Sequence, residues 1–158
     1  MSPHDCNERV LTPALALLPA YMDSKPARRM LLAIGLQESE LKFRRQIGGG
    51  PGRGLWQFEQ GGGTLGVLSH RATFAHAAYV CDRYGIDHSA AAVQAELDSN
   101  DTLAAAFARL LLFTHPRSLP ETPEAGWAQY VAIWRPGRPR IKTWKGNWDM
   151  ATEGVGGG

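Results

Sequence analysis

The longest amphipathic pattern in the chain predicts a helix that begins at Lys25 and runs to about Lys42. Ser24 is a suitable N-cap, and Pro26 falls in the first turn, where its missing N–H costs nothing. One face of this helix carries Leu31, Ile34, Gly35 and Leu41. Glu38 lies on the same face, so the pattern directs a carboxylate toward the apolar interior.

Further helices are predicted wherever apolar residues recur at helical spacing between capping residues, glycine or proline. They cover residues 67–85, 87–97 with Asp87 or Ser89 as cap, 100–113, and 122–134 with Thr122 as cap. The apolar stripe of the first is predicted to be Leu68, Ala72, Ala75 and Tyr79, and that of the last Trp127, Tyr130, Val131 and Trp134. The expected fold class is therefore mostly α.

Extended structure is predicted to be scarce. The sequence GLWQFE, residues 54–59, alternates between two Gly-rich stretches and favours a short hairpin or an irregular loop. Residues 48–63 are expected to shape one wall of a groove. The ending EGVGGG predicts a flexible tail, which gives a single domain over residues 1–150 and a tail over 151–158.

The 158 residues suffice for one domain with one core, and 44% hydrophobic with 20% charged residues is a globular composition. No apolar run is long enough to cross a bilayer, and the start MSPHDCNERV does not resemble a secretory signal. We therefore expect synthesis in a cytoplasm, with Cys6 and Cys81 reduced and packed. No membrane insertion is expected.

The formal net charge is +2, but several basic residues lie near the predicted first long helix: Arg28, Arg29, Lys42, Arg44, Arg45 and Arg53. A local positive potential suits an anionic polymer, although each residue can equally belong to a solvated helix face. A nucleic-acid partner would need a larger basic excess on one helix or arm, so none is expected.

The segment around Glu38 and the following glycines allows three interpretations. A phosphate-binding loop requires a preceding strand and a lysine before Ser or Thr, and neither is present. A metal site requires clustered ligands, and the histidines show no pair at ligand spacing, so no metal or cofactor is expected. A glutamate among apolar neighbours holds its proton near neutral pH and can act as an acid. A buried ion pair between Glu38 and a nearby arginine is the structural alternative.

Glu38-Ser39 followed by Gly54-Leu55-Trp56-Gln57 resembles the "ES … GLMQ" signature of the lysozyme-like superfamily, in particular goose-type lysozymes and soluble lytic transglycosylases. The continuation QFE looks like the goose-type form. LQES, RRQ, RLLL and WRPG are also similar to small lysozyme-like proteins of tailed bacteriophages. The resemblance covers residues 24 to about 148, and its specific part is residues 37–60.

The resemblance implies a lysozyme-like α-helical domain that cleaves the bond between N-acetylmuramic acid and N-acetylglucosamine in peptidoglycan. Glu38 would be the general acid, with its pKa raised from about 4.3 toward roughly 6. Substrate contacts are implied for Ser39, Gln57, Trp56 and Gly54. Ser39 can instead bond its own helix backbone. Tyr130 matches the third family motif only by its tyrosine and helical setting, and it can equally be a core aromatic.

Glu59 stands where goose-type members have a second acidic residue, which implies hydrolysis with Glu59 acting as base toward water. If Glu59 points away, the muramic 6-hydroxyl attacks instead, and the product of this lytic transglycosylase is a 1,6-anhydro sugar. A non-catalytic virion or wall-binding module is the alternative of another class. We expect a monomer that acts on glycan strands of the cell wall, as a free endolysin or as a virion component.

Overall fold

The computed structural model describes residues 1–157, and this part of the chain is mostly helical. The helices in chain order are α1 Pro3–Cys6, α2 Thr12–Leu15, α3 Lys25–Ser39, α4 Leu65–Ser69, α5 Phe74–Arg83, α6 Ala90–Glu96, α7 Asp101–Phe113, α8 Pro123–Trp134 and α9 Ile141–Gly154. A π-helical turn, Asn7–Leu11, joins α1 to α2, and another, Gln60–Thr64, leads into α4.

Three predicted helix caps, Ser24, Thr122 and the second of the two candidates for α6, Ser89, are confirmed by side-chain bonds to the first turn, and Asn100 caps α7 in the same way without having been predicted. The hydroxyls of Ser24, Ser89 and Thr122 accept from the amides of Ala27, Ala92 and Ala125, and the Asn100 side chain accepts from Leu103. Each bond satisfies an amide that the helix itself leaves without a partner. Local sequence was therefore sufficient to place the starts of these helices.

The helix predicted over residues 67–85 is wrong in its middle. The chain is non-helical between α4 and α5, where the Thr73 hydroxyl donates to the Val67 carbonyl at 2.6 Å and is buried. This break rotates α5 relative to the expected face. Tyr79 is consequently 54% exposed, and the residues of α5 that are buried are Ala77, Val80 and Cys81.

Helix α3 lies at the centre of the molecule and packs most extensively against α9. Nearly every residue from Met30 to Gln37 is buried, so α3 is enclosed on all sides rather than along one stripe. The helix ends at Ser39, three residues before the predicted end at Lys42. The backbone at Glu40 and Leu41 is left-handed, and Leu41 packs back onto Gly35.

The boundary predicted at residue 150 falls inside α9, so residues 151–154 belong to the fold rather than to a flexible tail. Trp144, Trp148 and Ala151 lie on the buried face of α9 at helical spacing, which outweighs the glycines of the ending. Gly154 also contacts Pro3 of α1. Gly158 lies outside the described residues.

The Gly-rich segment between α3 and α4 is an irregular loop. Within the described residues its extended structure is limited to isolated bridges, between Arg45 and Arg53 and between Arg53 and Phe58. No helix in residues 1–157 combines the length and the apolar character needed to cross a membrane.

Candidate active site

Glu38 occupies the last turn of α3, where the helix emerges from the core into a cleft. Its side chain is half-buried, and Tyr130 of α8 donates a hydrogen bond to Oε1 over 2.9 Å. The ring of Tyr130 is stacked on Trp144 of α9, with centroids 5.3 Å apart and planes inclined by 8°. Three helices therefore fix the position of one carboxyl group.

The pKa of Glu38 is raised above its ordinary value, mainly because burial disfavours the charged form. The hydrogen bond from Tyr130 and the charge of Arg140 act in the opposite direction, and the charge of Glu59 adds to the increase. No arginine forms an ion pair with Glu38 within residues 1–157, so the structural alternative of a buried ion pair is not what the structure contains.

The cleft has a volume of about 630 Å³. Glu38 and Tyr130 lie in it together with Glu59 and Gln57, which the loop after α3 contributes. Glu59 is exposed, whereas Gln57 is half-buried and its amide nitrogen donates to the carbonyls of Phe43 and Gly54. Ser39 also borders this cleft, so the structure brings five of the seven predicted site residues together there, although Ser39 and Tyr130 are themselves almost fully buried.

Trp56 does not face the cleft, and the prediction that it contacts substrate is wrong. Its side chain is 0% exposed and its Nε1 donates to the Leu31 carbonyl of α3 at 2.8 Å. The backbone carbonyl of Trp56 in turn accepts from Nε1 of Trp134 at 2.9 Å. Trp56 therefore joins the loop to α3 and α8.

Gly54 is likewise buried, and its role is in packing rather than in contact with a ligand. Its backbone is left-handed, with φ at 76°, and an added Cβ would lie 2.9 Å from the Leu97 carbonyl oxygen. Ser39 borders the cleft but is 3% exposed. Its hydroxyl lies 3.0 Å from the Gly35 carbonyl and 2.6 Å from that of Leu55, so it fastens the loop to the end of α3.

The segment between α8 and α9 forms a rim of the cleft. From the sequence pattern, only the end of a helix was predicted here. Gln37, the neighbour of Glu38, is 3% exposed. Its Nε2 donates to the Arg140 carbonyl at 2.9 Å, and Arg140 donates from its guanidinium to the Gln37 carbonyl at 3.2 Å. The side chains of Thr143 and Asn147 donate to Oε1 of Gln37. Residues more than one hundred positions apart meet here, and no local signal in the sequence predicts this.

Strained backbone is concentrated at the cleft. Positive φ angles occur at four non-glycine residues of the described chain, and three of them line this cavity: Glu40, Gln57 and Arg135. Such conformations cost about 1–3 kcal/mol each and persist where the surrounding structure holds them, often at functional sites. Their concentration here supports the choice of this cleft as the candidate site.

A second cavity of about 580 Å³ adjoins the first and shares Gln57, Glu59, Trp134 and Arg135 with it. Gly61, Gly62 and Gly63 line it, whereas the glycines at positions 48 to 54 border neither cavity. Glu59 and Trp134 therefore lie where the two cavities adjoin. The sequence predicted only that Trp134 lies on the apolar stripe of its helix.

Comparison with known proteins gives no match to a family model, a curated protein or a solved structure. The likeness to lysozyme-like proteins therefore rests on the motif residues themselves.

Proposed function

We propose that the protein is a peptidoglycan-degrading glycosidase, a muramidase, in which Glu38 is the general acid. The observation that carries this proposal is a half-buried glutamate with a raised pKa at the wall of an open cleft. The ES and GLWQFE motifs support the choice of reaction. The lysozyme-like arrangement of the domain is part of the same proposal.

Cleavage of a glycosidic bond needs a proton on the leaving oxygen as positive charge develops on the sugar ring. Glu38 holds that proton because burial disfavours its carboxylate. Oε1 accepts the bond from Tyr130, which leaves Oε2 to carry the proton into the cleft. Tyr130 thus orients the acid while remaining almost fully buried itself.

Glu59 is the candidate base. It is exposed at the cleft and close enough for its charge to raise the pKa of Glu38. In a hydrolase it would draw a proton from the attacking water, and the products would have reducing muramic ends. The alternative is a lytic transglycosylase in which Glu38 works alone. Mass spectra of the released fragments separate the two, because anhydro products are one water lighter.

The test of the proposal is Glu38→Gln, which retains the size of the side chain and removes the transferable proton. Digestion of purified peptidoglycan should slow by roughly 10²-fold or more. Glu40→Gln is the matched control, since Glu40 borders the same cleft two residues along but is exposed and makes no bond to Tyr130. Equal rates for Glu38→Gln and the parent would refute the assignment.

The alternative of another class, a non-catalytic virion or wall-binding module, predicts a different result. The parent protein would then bind insoluble peptidoglycan without releasing soluble fragments from it. The presence of Glu38 and of its hydrogen bond from Tyr130 favours the hypothesis of an enzyme, because a binding module does not need a proton donor.

A further inference from the structure

The segment Arg135 to Arg140, with sequence RPGRPR, places three arginines along one rim of the cleft. All three side chains are exposed. Within residues 1–157, neither Arg135 nor Arg138 has a carboxylate partner, and the guanidinium of Arg140 bonds only to the Gln37 carbonyl. Arg45, the remaining arginine at this cleft, is paired with Asp98. The rim thus presents guanidinium groups that no internal anion neutralises.

This segment is held in place at both ends. Its first residue terminates α8 in a left-handed conformation, and the Arg135 amide donates to the Val131 carbonyl. At the other end the Arg140 carbonyl accepts from Nε2 of Gln37 and from the Thr143 hydroxyl. The two prolines between these anchors fix φ at their positions. The backbone of this rim therefore loses little conformational freedom when a ligand binds.

The rim also adjoins the acid. Gln37 holds Arg140 from the position next to Glu38, and the charge of Arg140 acts on the Glu38 carboxyl. A sugar whose glycosidic oxygen meets Glu38 would therefore lie beside this rim, because both line the same cleft. The lactyl group of muramic acid is the point where the peptide stem of peptidoglycan is attached, and that stem ends in free carboxylates.

We infer that the Arg135–Arg140 rim binds the carboxylates of the peptide stem, so that the protein prefers glycan strands that bear peptides over stripped glycan. This inference rests on the proposed function, because it assumes that peptidoglycan occupies the cleft. Guanidinium groups suit the task because their planar donors match a carboxylate in a two-bond geometry. Glu40 and Glu59 also line the cleft, so an anionic group is favoured only at the arginine rim.

The experiment compares cleavage of soluble peptide-bearing glycan fragments with cleavage of the same fragments after an amidase has removed the peptides. The parent protein should show the higher kcat/KM on the peptide-bearing substrate. Arg138→Gln should reduce that value by about threefold, and the double substitution Arg135→Gln with Arg138→Gln by about tenfold, with little change on stripped glycan. Added salt should weaken the preference, since it screens exposed charges.

Arg83→Gln is the matched control, because it removes the same charge from an exposed position of α5 outside the cleft. It should retain the preference of the parent. Equal cleavage of both substrates by the parent would overturn the inference and leave the proposed function intact. A similar loss on both substrates in the arginine variants would also overturn it, because the rim would then bind the sugar chain or serve the fold. Cleavage of neither substrate would instead refute the proposed function.

Discussion

Four influences act on the pKa of the Glu38 carboxyl, two in each direction. Burial and the charge of Glu59 favour the protonated form, whereas the Tyr130 hydroxyl and Arg140 favour the ionised form. Burial is the largest of these, so the acid stays protonated above its ordinary range. Each opposing group offers a substitution with an effect of predictable sign.

Tyr130→Phe should lower kcat several-fold and shift the pH profile of activity. The lost hydrogen bond stabilised the ionised carboxylate, so its removal raises the pKa of Glu38 further. The proposed reaction requires protonated Glu38 and would be lost as the pH rises through that pKa, so the alkaline limb of the profile should move to higher pH. A purely structural role for Tyr130 predicts lower activity with an unmoved limb. Phenylalanine can preserve the stacking on Trp144.

Glu38→Gln should also change how stability depends on pH. Because the pKa is raised on folding, the parent binds more protons folded than unfolded between the ordinary pKa of 4.5 and the raised value. The contribution of Glu38 to the free energy of unfolding therefore falls as the pH rises through this window and is constant above it. Glutamine does not titrate, so in urea unfolding the variant should gain stability relative to the parent as the pH rises from 4.5 until Glu38 is ionised in the folded parent. A constant difference would contradict the raised pKa.

At the scale of elements, the cleft depends on how the loop after α3 is fixed to the surrounding helices. The Ser39 hydroxyl binds the Leu55 carbonyl, the indole of Trp56 binds the Leu31 carbonyl, and Gly54 packs against Leu97 beyond α6. These contacts are buried, so their hydrogen bonds cannot be replaced by water when a partner is removed. The motif residues that resemble a substrate-binding signature thus largely hold the loop in place.

Gly54→Ala and Gly48→Ala form a matched pair that tests this role. Both glycines have positive φ, 76° and 87°, so alanine costs roughly 1–2 kcal/mol of backbone strain at either position. An added Cβ meets nothing within 4 Å at Gly48, but at Gly54 it lies 2.9 Å from the Leu97 carbonyl oxygen. Gly54→Ala should therefore lower the free energy of unfolding by clearly more, and reduce activity as well. Equal losses in denaturant titrations would show that the contact with Leu97 is unimportant.

At the scale of the molecule, the fold is closed by contact between its two ends. Helix α9 packs against α3 and α1, with Trp148 under the Arg29 guanidinium at 4.7 Å and Gly154 against Pro3. Trp144 also stacks on Tyr130, so the last helix supports the residue that donates a hydrogen bond to Glu38. Loss of α9 packing should therefore affect both stability and the site.

Two truncations test whether the chain end belongs to the fold. Removal of residues 151–158 takes away buried Ala151 and the contact of Gly154 with Pro3, and should cost more than about 2 kcal/mol of unfolding free energy. Removal of residues 156–158 leaves both in place and should cost little. Thermal or urea unfolding of the two proteins gives the comparison. Similar stabilities of the two proteins would show that residues 151–155 contribute little to the fold, as expected for the flexible tail that the sequence predicts.

Local chemistry determined much of the helical framework directly from the sequence. Ser24, Ser89 and Thr122 accept bonds from amides three residues ahead, so short windows of sequence were enough to place these helix starts. The inward position of Glu38 followed in the same way, since helical periodicity alone aligns it with Ile34 and Leu41. The break at Thr73 was not predictable, because a contact of its hydroxyl with the Val67 carbonyl outweighs the helical pattern.

Only the tertiary structure decided which residues face the cleft. The alternation in GLWQFE separates Trp56 and Phe58 from Gln57 and Glu59, but it does not indicate which pair is buried and which lines the cleft. In the structure Trp56 and Phe58 are the buried pair. The bonds from Tyr130 to Glu38 and from Gln37 to Arg140 join residues 92 and 103 positions apart. Such pairings depend on how whole helices pack, and packing is a property of the assembled chain. The sequence by itself therefore determined Glu38 and its helix, while the fold selected the hydrogen-bond partner of Glu38 and the charged rim beside it.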